Sequence, residues 1–196
     1  MASSNDPNST SAEIADEPKV ENKSTETQET PEDGEKIALY ISSDAVTPEI
    51  QAEIQHIFDT YPCLGITPDP GYIKQVPASD WAKGLKPLEI YDEHGRDHPV
   101  FRPSPIVILD ERTAKDKSVV IVDEDWGEEE DEDGNQKLVP KSLRCVPEWV
   151  QMVVVNLSIG NQNLWEFAQH NQADGVFHGF PETESKPESE TSPADT

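Results

Sequence analysis

Two short apolar runs dominate the pattern of hydrophobic and polar positions along the chain. These runs, Ile106–Leu109 and 119–122, are rich in β-branched residues, and each is followed directly by an aspartate. Short continuous runs of this composition are typical of strands that are buried on both faces of a sheet. We therefore predict that the two runs form neighbouring central strands and that the rest of the folded chain packs on them.

A strand and an amphipathic helix are predicted earlier in the chain. Ile37–Ile41 is a short apolar run, and the helix that follows is predicted over 47–61. Thr47 is a favourable N-cap, and Pro48 suits the first helical position. Apolar residues then recur at helical spacing until Pro62 ends the pattern, which places one apolar stripe against the sheet.

Weaker patterns lie between this helix and the central strands. They predict a short strand, a helical turn and an edge strand, in that order, over 71–76, 79–84 and 88–91. The polar segment 92–103 is predicted as a loop that contains His94 and His98. A loop lacks the helical context that would bring both imidazoles to one metal ion, so we do not predict a metal site there.

A third strand is predicted over 142–146, paired antiparallel with 119–122, and an acidic hairpin loop over 126–137 joins the two. A strand, a helix and then several strands with a closing helical segment are typical of α+β or α/β layers. The predicted fold is one mixed sheet of about four or five strands, with helices packed on it.

The last part of the folded chain is predicted to be helical, with one interruption. A helical turn begins at Pro147, and the polar segment 156–160 is predicted as a turn. Asn161 is the predicted cap of a final helix over 162–170, with Trp165 facing inward.

Negative charge is concentrated in three segments and sets the domain boundaries. Residues 1–36 contain ten acidic and three basic residues. Residues 123–133 contain nine acidic and no basic residues, and 181–196 contain five acidic residues and one basic residue. The two terminal segments lack the apolar residues that would offset the entropy of ordering. We predict disordered acidic tails over 1–36 and 181–196 around a single globular α/β domain over 37–180, which carries an acidic loop over 124–137.

The formal net charge of −25 restricts the classes of partner. It disfavours nucleic acid and anionic membranes, and it favours a protein partner with a basic face. No apolar run approaches the roughly 18 residues of a membrane span. The N-terminus lacks a secretory signal, and Cys63 and Cys145 have no disulfide or metal spacing, which indicates a cytoplasmic protein; a nuclear location fits the same features.

The acidic segment is the first candidate site. Trp126 is flanked by acids and is predicted to be exposed, where it can anchor a partner. The predicted interaction residues are Trp126, Glu128, Glu129, Glu130, Asp131, Glu132 and Asp133. A solvated hairpin that serves only solubility is the alternative interpretation.

The second candidate site lies at the end of the first central strand, because charged residues at such ends often line the pocket of an α/β fold. The predicted pocket residues are Asp110, Arg112, Thr113, Trp149 and Asn156. A polar turn with an aspartate–arginine pair is the alternative interpretation.

No nucleophile motif, glycine-rich phosphate loop or metal-ligand spacing accompanies these residues. We therefore predict no cofactor and assign no catalytic residue. A non-enzymatic accessory or interaction protein is favoured over a small enzyme or an auxiliary protein of a specialised metabolic pathway.

Several runs in the last third of the chain resemble the signature of a known family. They are V-V-I-V-D at 119–123, R-C-V-P-E-W at 144–149, N-L-S-I-G-N at 156–161 and D-G-V-F-H-G-F at 174–180. The chain resembles, over about residues 37–180, an uncharacterised domain family of small bacterial and fungal proteins. The resemblance implies one domain and no known activity. The segment 110–113 matches the family pattern, whereas the acidic insertion 128–133 departs from it.

Overall fold

A mixed five-stranded sheet forms the centre of the fold in the computed structural model. The structure describes residues 36–62, 67, 69–97, 101–130 and 136–181, of which 96–97, 126–130 and 136 are described as backbone only. The strands are β1 Ile37–Ile41, β2 Ile73–Gln75, β3 Ile106–Leu109, β4 Val119–Glu130 and β5 Gln136–Cys145. The helices are α1 Pro48–Thr60, α2 Pro87–Asp97, α3 Thr113–Asp116, α4 Pro147–Ser158 and α5 Leu164–Ala168.

The sheet combines a parallel half and an antiparallel half, in the order β2-β1-β3-β4-β5. β1 pairs in parallel with both β2 and β3, whereas β4 is antiparallel to β3 and to β5. The predicted mixed sheet with packed helices is confirmed, and both central runs are strands. The parallel half has the β2-β1-β3 order of doubly wound folds, in which side chains at the carboxyl ends of the strands line the usual ligand crevice.

Alternate residues of β1 enter two separate cores, because successive side chains of a strand point to opposite faces. The first core packs α1, α4 and α5 on one face of the sheet and includes Ile37, Leu39, Ile54, Phe58, Leu109, Ile121, Val153 and Phe167. The second core packs α2 and a short 3₁₀ turn over Ser79–Ala82 on the other face and includes Ala38, Tyr40, Ile90, Ile108 and Val122. The sheet is therefore covered by helices on both faces.

β4 and β5 continue far beyond the rest of the sheet. The pairing of β3 with β4 ends at Val122, but β4 runs on to Glu130 and stays paired with β5. We call residues 123–130 of β4 and 136–141 of β5 the acidic arm. The loop predicted over 126–137 is therefore wrong for 126–130 and 136–137, because β4 and β5 pair as far as Glu130 and Gln136, with a register shift between Trp126 and Glu130; 131–135 lie outside the described residues.

The outer edge of β5 is protected in two places. The carbonyl oxygen of Arg144 accepts a bond from the Phe177 amide at 2.8 Å, so its backbone faces outward. Since the direction alternates along a strand, Ser142 and Pro140 also face outward. Proline has no amide hydrogen and is typical of edge strands, so Pro140 interrupts the row of donors along this edge.

The predicted edge strand over 88–91 and the loop after it are wrong. These residues belong to α2, which begins at Pro87 and continues to Asp97. Proline suits the first turn of a helix, and the Lys86 amide donates to Glu89 at 2.8 Å there. Ile90 and His94 lie four residues apart and are both buried, so the short alternating run was one turn of an amphipathic helix.

Three details of the last helices also differ from prediction. α4 continues through Asn156, so the predicted turn at 156–160 begins only after Ser158. Asn163, not Asn161, caps the final helix, in a capping box with Glu166. Trp165 was expected to face inward, but 60% of it is exposed, because α5 is short and packs through Leu164 and Phe167. By contrast, Thr47 caps α1 as predicted.

Candidate functional site

Asp110 stands at the carboxyl end of β3, where it closes a network of hydrogen bonds. Its Oδ1 accepts bonds from the Thr113 amide at 3.0 Å and from Arg144 Nη1 at 3.2 Å. Arg144 Nη2 forms an ion pair with Asp110 Oδ2, and Nη1 also reaches the Ser118 carbonyl at 3.3 Å. The network therefore joins the end of β3 to the start of β4 and the end of β5.

The electrostatics of this network favour an ionised carboxylate. Burial alone would raise the pKa of Asp110, but bonds from Arg144 and Thr113 outweigh it and hold the pKa below 3.8. Thr113 is fully buried, and its hydroxyl donates to the Ser118 carbonyl at 2.7 Å. A carboxylate with its charge and acceptors satisfied by fixed groups fits a structural clamp between strands better than a reactive group.

Arg112 does not take part in this clamp. Its Nε donates to Asp116 at 2.7 Å and its Nη2 to the Asp174 carbonyl at 3.2 Å, at the protein surface. The aspartate–arginine pair expected as the alternative to a pocket does exist, but the arginine is Arg144. Sequence reasoning missed Arg144, although the single cation of the predicted strand 142–146 was a usable signal.

The other two predicted pocket residues lie on α4 and are separated from each other. Trp149 is in the first turn, where its ring meets Phe177 and Phe180 edge-on at centroid distances of 5.8 and 5.9 Å. Asn156 lies about 10 Å further along the helix axis, and its Nδ2 donates to the Met152 carbonyl at 2.8 Å. Thus the structure joins Asp110 to Thr113, but Trp149 and Asn156 occupy opposite ends of α4.

Two buried aspartates of the acidic arm lie on the same face of β4. Asp125 Oδ2 accepts from the Trp165 amide at 3.2 Å and lies 3.6 Å from Lys141 Nζ. Asp123 Oδ1 accepts from Ser104 Oγ and from the Glu124 amide. Burial raises the pKa of Asp123 from 3.8 to about 6, and the nearby charges of Glu124 and Asp125 add to this.

A cleft of about 250 Å³ lies between the acidic arm and the connection from α4 to α5. We call it the Asp123 cleft; residues that line it include Asp123, Glu124, Leu157, Asn161, Asn163 and Glu166. Its lining is predominantly polar and acidic, so a neutral apolar ligand would gain little by entering it.

A second cavity, of about 370 Å³, lies at the carboxyl ends of β1 and β2. Gln51 Nε2 donates to Gln75 Oε1 at 2.5 Å at this cavity, and Lys83 Nζ donates to Asp44 at 2.6 Å. The place is the carboxyl edge of the parallel half beside β1 and β2, whereas the switch point of the β2-β1-β3 order lies between β1 and β3. Sequence reasoning did not find the cavity, because its residues come from three separate segments, 41–51, 75 and 79–83.

The remaining candidates fall partly outside the described residues. Trp126 and Glu128, Glu129 and Glu130 lie on β4, where only the backbone is described, and Asp131, Glu132 and Asp133 are outside the described residues. His94, placed in a loop by prediction, is buried on α2 with its two ring nitrogens 2.7 Å from the Tyr40 hydroxyl and 2.8 Å from the Arg102 carbonyl; His98 is outside the described part.

The described residues contain no group of three or more histidine, cysteine, aspartate or glutamate side chains suited to hold a metal ion. Within the same residues, the helices are too short or too polar to cross a membrane.

Comparison with known proteins places the chain in a family. A family model described as Domain of unknown function (DUF6924) matches residues 68–180, which is more than half of the chain. No curated protein and no solved structure matches the chain. The match agrees with the resemblance to an uncharacterised domain family, and the chain belongs to the DUF6924 family of domains of unknown function.

Proposed function

We propose that the protein is a non-enzymatic interaction protein whose acidic arm binds a protein partner with a basic face. One observation carries the proposal: β4 extends eight residues past its last pair with β3, and six of these are acidic. They are Asp123, Glu124, Asp125, Glu128, Glu129 and Glu130.

The strand pairing supports this use of the charge. Like charges along one strand repel each other, yet the ladder with β5 holds the backbone of β4 extended as far as Glu130. Within the arm, β5 supplies only Lys137 and Lys141 in return. The excess negative charge is therefore preorganised, which raises the rate of association with a basic surface and makes binding sensitive to salt.

Exposed apolar side chains beside the acids offer contacts for a stable complex. Leu138 of the acidic arm is 45% exposed, and Trp165 is 60% exposed. Trp165 lies beside the arm, because its backbone amide donates a hydrogen bond to Asp125. Aromatic anchors next to charged rims are characteristic of protein interfaces. The proposal includes a cytoplasmic location, which the lack of disulfide or metal spacing between Cys63 and Cys145 supports.

The test is capture of the partner from native cell extract by the tagged protein, washed at low and then at moderate salt. The arm variant carries Glu128→Gln, Glu129→Gln and Glu130→Gln. The control carries Glu182→Gln, Glu184→Gln and Glu188→Gln in the C-terminal segment, which changes the net charge by the same amount. We expect the unchanged protein to capture a stoichiometric partner that moderate salt releases. The control variant should capture the same partner, and the arm variant should not. Equal capture by both variants would contradict the proposal.

A small enzyme or auxiliary protein of a specialised metabolic pathway is the second candidate. The pocket predicted near Asp110–Thr113 is occupied by the clamp, but the cavity beside Gln51 and Gln75 favours a small-molecule role. Native mass spectrometry of protein purified from its own cells tests this. A bound small molecule that is lost in Gln51→Ala but kept in the exposed control Gln169→Ala would support it, and protein without any bound molecule would count against it.

A further inference from the structure

We propose that the Asp123 cleft binds the guanidinium group of an arginine side chain. This inference rests on the proposed function in one respect: we assign the bound arginine to the basic protein partner proposed above. It concerns a defined cleft at the base of the acidic arm, whereas the proposed function concerns the charge of the arm as a whole.

The carboxylate of Asp123 is buried but only half satisfied. The residue is 9% exposed, and both of its hydrogen bonds, from Ser104 and Glu124, go to Oδ1. Among the residues that the structure describes, nothing donates a hydrogen bond to Oδ2. Among the described residues, Asn171 Oδ1 is the only fully buried side-chain atom without a hydrogen-bond partner. Asp123 Oδ2 also lacks a partner among these residues but is not fully buried, so solvent reaches it. Asp123 therefore presents an acceptor to the cleft that it lines.

Asp125 shows how the same strand treats a carboxylate that has a cation beside it. It lies two residues further along the same face, and its Oδ2 holds the Trp165 amide and the Lys141 ammonium. Lys141 is directly opposite Asp123 in the register, yet its ammonium lies by Asp125. No ion pair to Asp123 is found in the described residues, so a cation from outside would complete it.

The charged and titratable groups around Asp123 make the cleft negative. Glu124 and Glu166 line it, and Arg102 near the end of α4 donates to the Ser158 carbonyl at 3.4 Å. The groups contributed by each neighbouring element are Glu124 and Asp125 of β4, Lys141 of β5, Tyr91 of α2, Glu166 of α5 and Arg102 before β3. Besides Asp123, the carboxylates of Glu124, Asp125 and Glu166 surround the cleft. The two cations, Lys141 and Arg102, already have acceptors, so the cleft keeps a net negative charge.

The shape and chemistry of the cleft fit an arginine better than other cations. Leu157 gives an apolar wall for the aliphatic stem, and Asn161, whose Nδ2 is bonded to Asn156 at 2.6 Å, keeps its amide oxygen for a donor. A guanidinium offers several donors in one plane and remains charged on burial. The volume of about 250 Å³ admits one side chain and is small for a drug-sized ligand.

Proton binding competes with arginine binding at this site. The raised pKa of Asp123, about 6, reflects burial without a cation, and a bound guanidinium would lower it. At pH 5 about one tenth of Asp123 is ionised, whereas nearly all is ionised at pH 7.5. We therefore expect arginine to bind about tenfold more weakly at pH 5 than at pH 7.5.

The probe for the test is N-acetyl-arginine amide, titrated into the full-length protein and followed by the side-chain carboxyl and methyl signals in NMR. N-acetyl-citrulline amide, which has nearly the same shape without the charge, is the matched ligand control. We expect saturable shifts at Asp123 and Leu157 for the arginine probe, none for citrulline, and loss of binding in Asp123→Asn. Asp80→Asn, an exposed aspartate with the same change of charge, should bind like the unchanged protein.

Two results would overturn the inference: equal binding of both probes, or unaltered arginine binding in Asp123→Asn. The variant retains an oxygen acceptor for Ser104 and Glu124, and its NMR spectrum reports directly whether it is folded. The two proposals fail separately. If Asp123→Asn still binds arginine while the arm variant loses the partner, the cleft inference fails alone. If the arginine probe binds as expected but the arm variant retains the partner, the proposed function fails alone.

Discussion

The hydroxyl of Tyr40 on β1 lies 2.7 Å from Nδ1 of His94 on α2, inside the second core. The other ring nitrogen of His94, Nε2, lies 2.8 Å from the Arg102 carbonyl. Since a carbonyl oxygen only accepts, Nε2 carries the proton, and Nδ1 accepts from the Tyr40 hydroxyl. This assigns the tautomer and makes His94 a polar link between the sheet, α2 and the segment before β3.

Replacing Tyr40 by Phe should destabilise the protein although the ring is retained. The change leaves Nδ1 of a buried imidazole without its donor, which costs about 1–2 kcal/mol. Chemical denaturation measures the loss. Tyr61→Phe is the control, because Tyr61 is 51% exposed, and its free energy of unfolding should change by less than about 0.5 kcal/mol. Equal stabilities of the two variants would argue against the link.

Asp123→Asn should stabilise the protein near neutral pH. The folded pKa of Asp123, about 6, lies above the ordinary 3.8, so between these values the folded state binds more protons than the unfolded state. Stability from this group is therefore lost as the pH rises from about 4 to 6. We expect the variant to be more stable by about 1–2 kcal/mol at pH 7, a value reduced because one oxygen reaches solvent.

The difference between Asp123→Asn and the unchanged protein should shrink as the pH falls and vanish below about pH 3, where the carboxyl is protonated in both states. Urea denaturation at several pH values measures it. Asp80→Asn, an exposed aspartate with the same change of charge, serves again as the control. A constant difference from pH 4 to pH 7 would mean that Asp123 titrates normally.

Arg144→Met should weaken the clamp at the end of β3. It leaves the partly buried Asp110 carboxylate without its cation, which costs about 2–3 kcal/mol after allowance for partial exposure. Because the pKa of Asp110 lies below 3.8, the loss persists down to that pH and declines only below it.

The matched control is Lys115→Met, which removes the exposed pair with Glu111. Its effect on the free energy of unfolding should stay below about 0.5 kcal/mol. If thermal and chemical denaturation give the two variants the same stability, the Asp110 network is not a clamp.

Gly179→Ala should destabilise the protein more than the same change at Gly175. A Cβ at position 179 would lie 2.2 Å from the ring of Trp149, whereas position 175 has open space; φ is positive at both, +102° and +76°. Overpacking adds about 1–3 kcal/mol to the backbone strain of about 1–2 kcal/mol that both variants share. Equal losses in denaturation would show that Trp149 moves aside without cost.

Local sequence signals were sufficient for individual elements of the core. The apolar run of β3 and the Thr47-Pro48 start of α1 gave elements that the structure confirms. They failed where a short run fits both the two-residue period of a strand and the 3.6-residue period of a helix. The run at 88–91 alternates like a strand, and only the pair of Ile90 and His94, with Pro87 before it, marked the helix.

The candidate sites depended on contacts that a local pattern does not encode. Asp110 and Arg144 are 34 residues apart, and their meeting requires the antiparallel pairing of β4 and β5. Asp123 was recognised only as the end of a strand, since its burial comes from helices that follow it by more than thirty residues. The polar residues were identified from composition, but their partners came from topology.

Pro140 has a consequence for the protein at high concentration. An acidic arm with an open edge could recruit the strand of a second copy and start a fibre. β5 lacks a backbone amide hydrogen at Pro140, and Phe177 pairs with its far end. Only short stretches of its outer backbone are therefore open to pairing with another strand. Along its β5 edge the arm can therefore extend into solvent without recruiting a second strand, and a partner at that edge must recognise side chains rather than backbone.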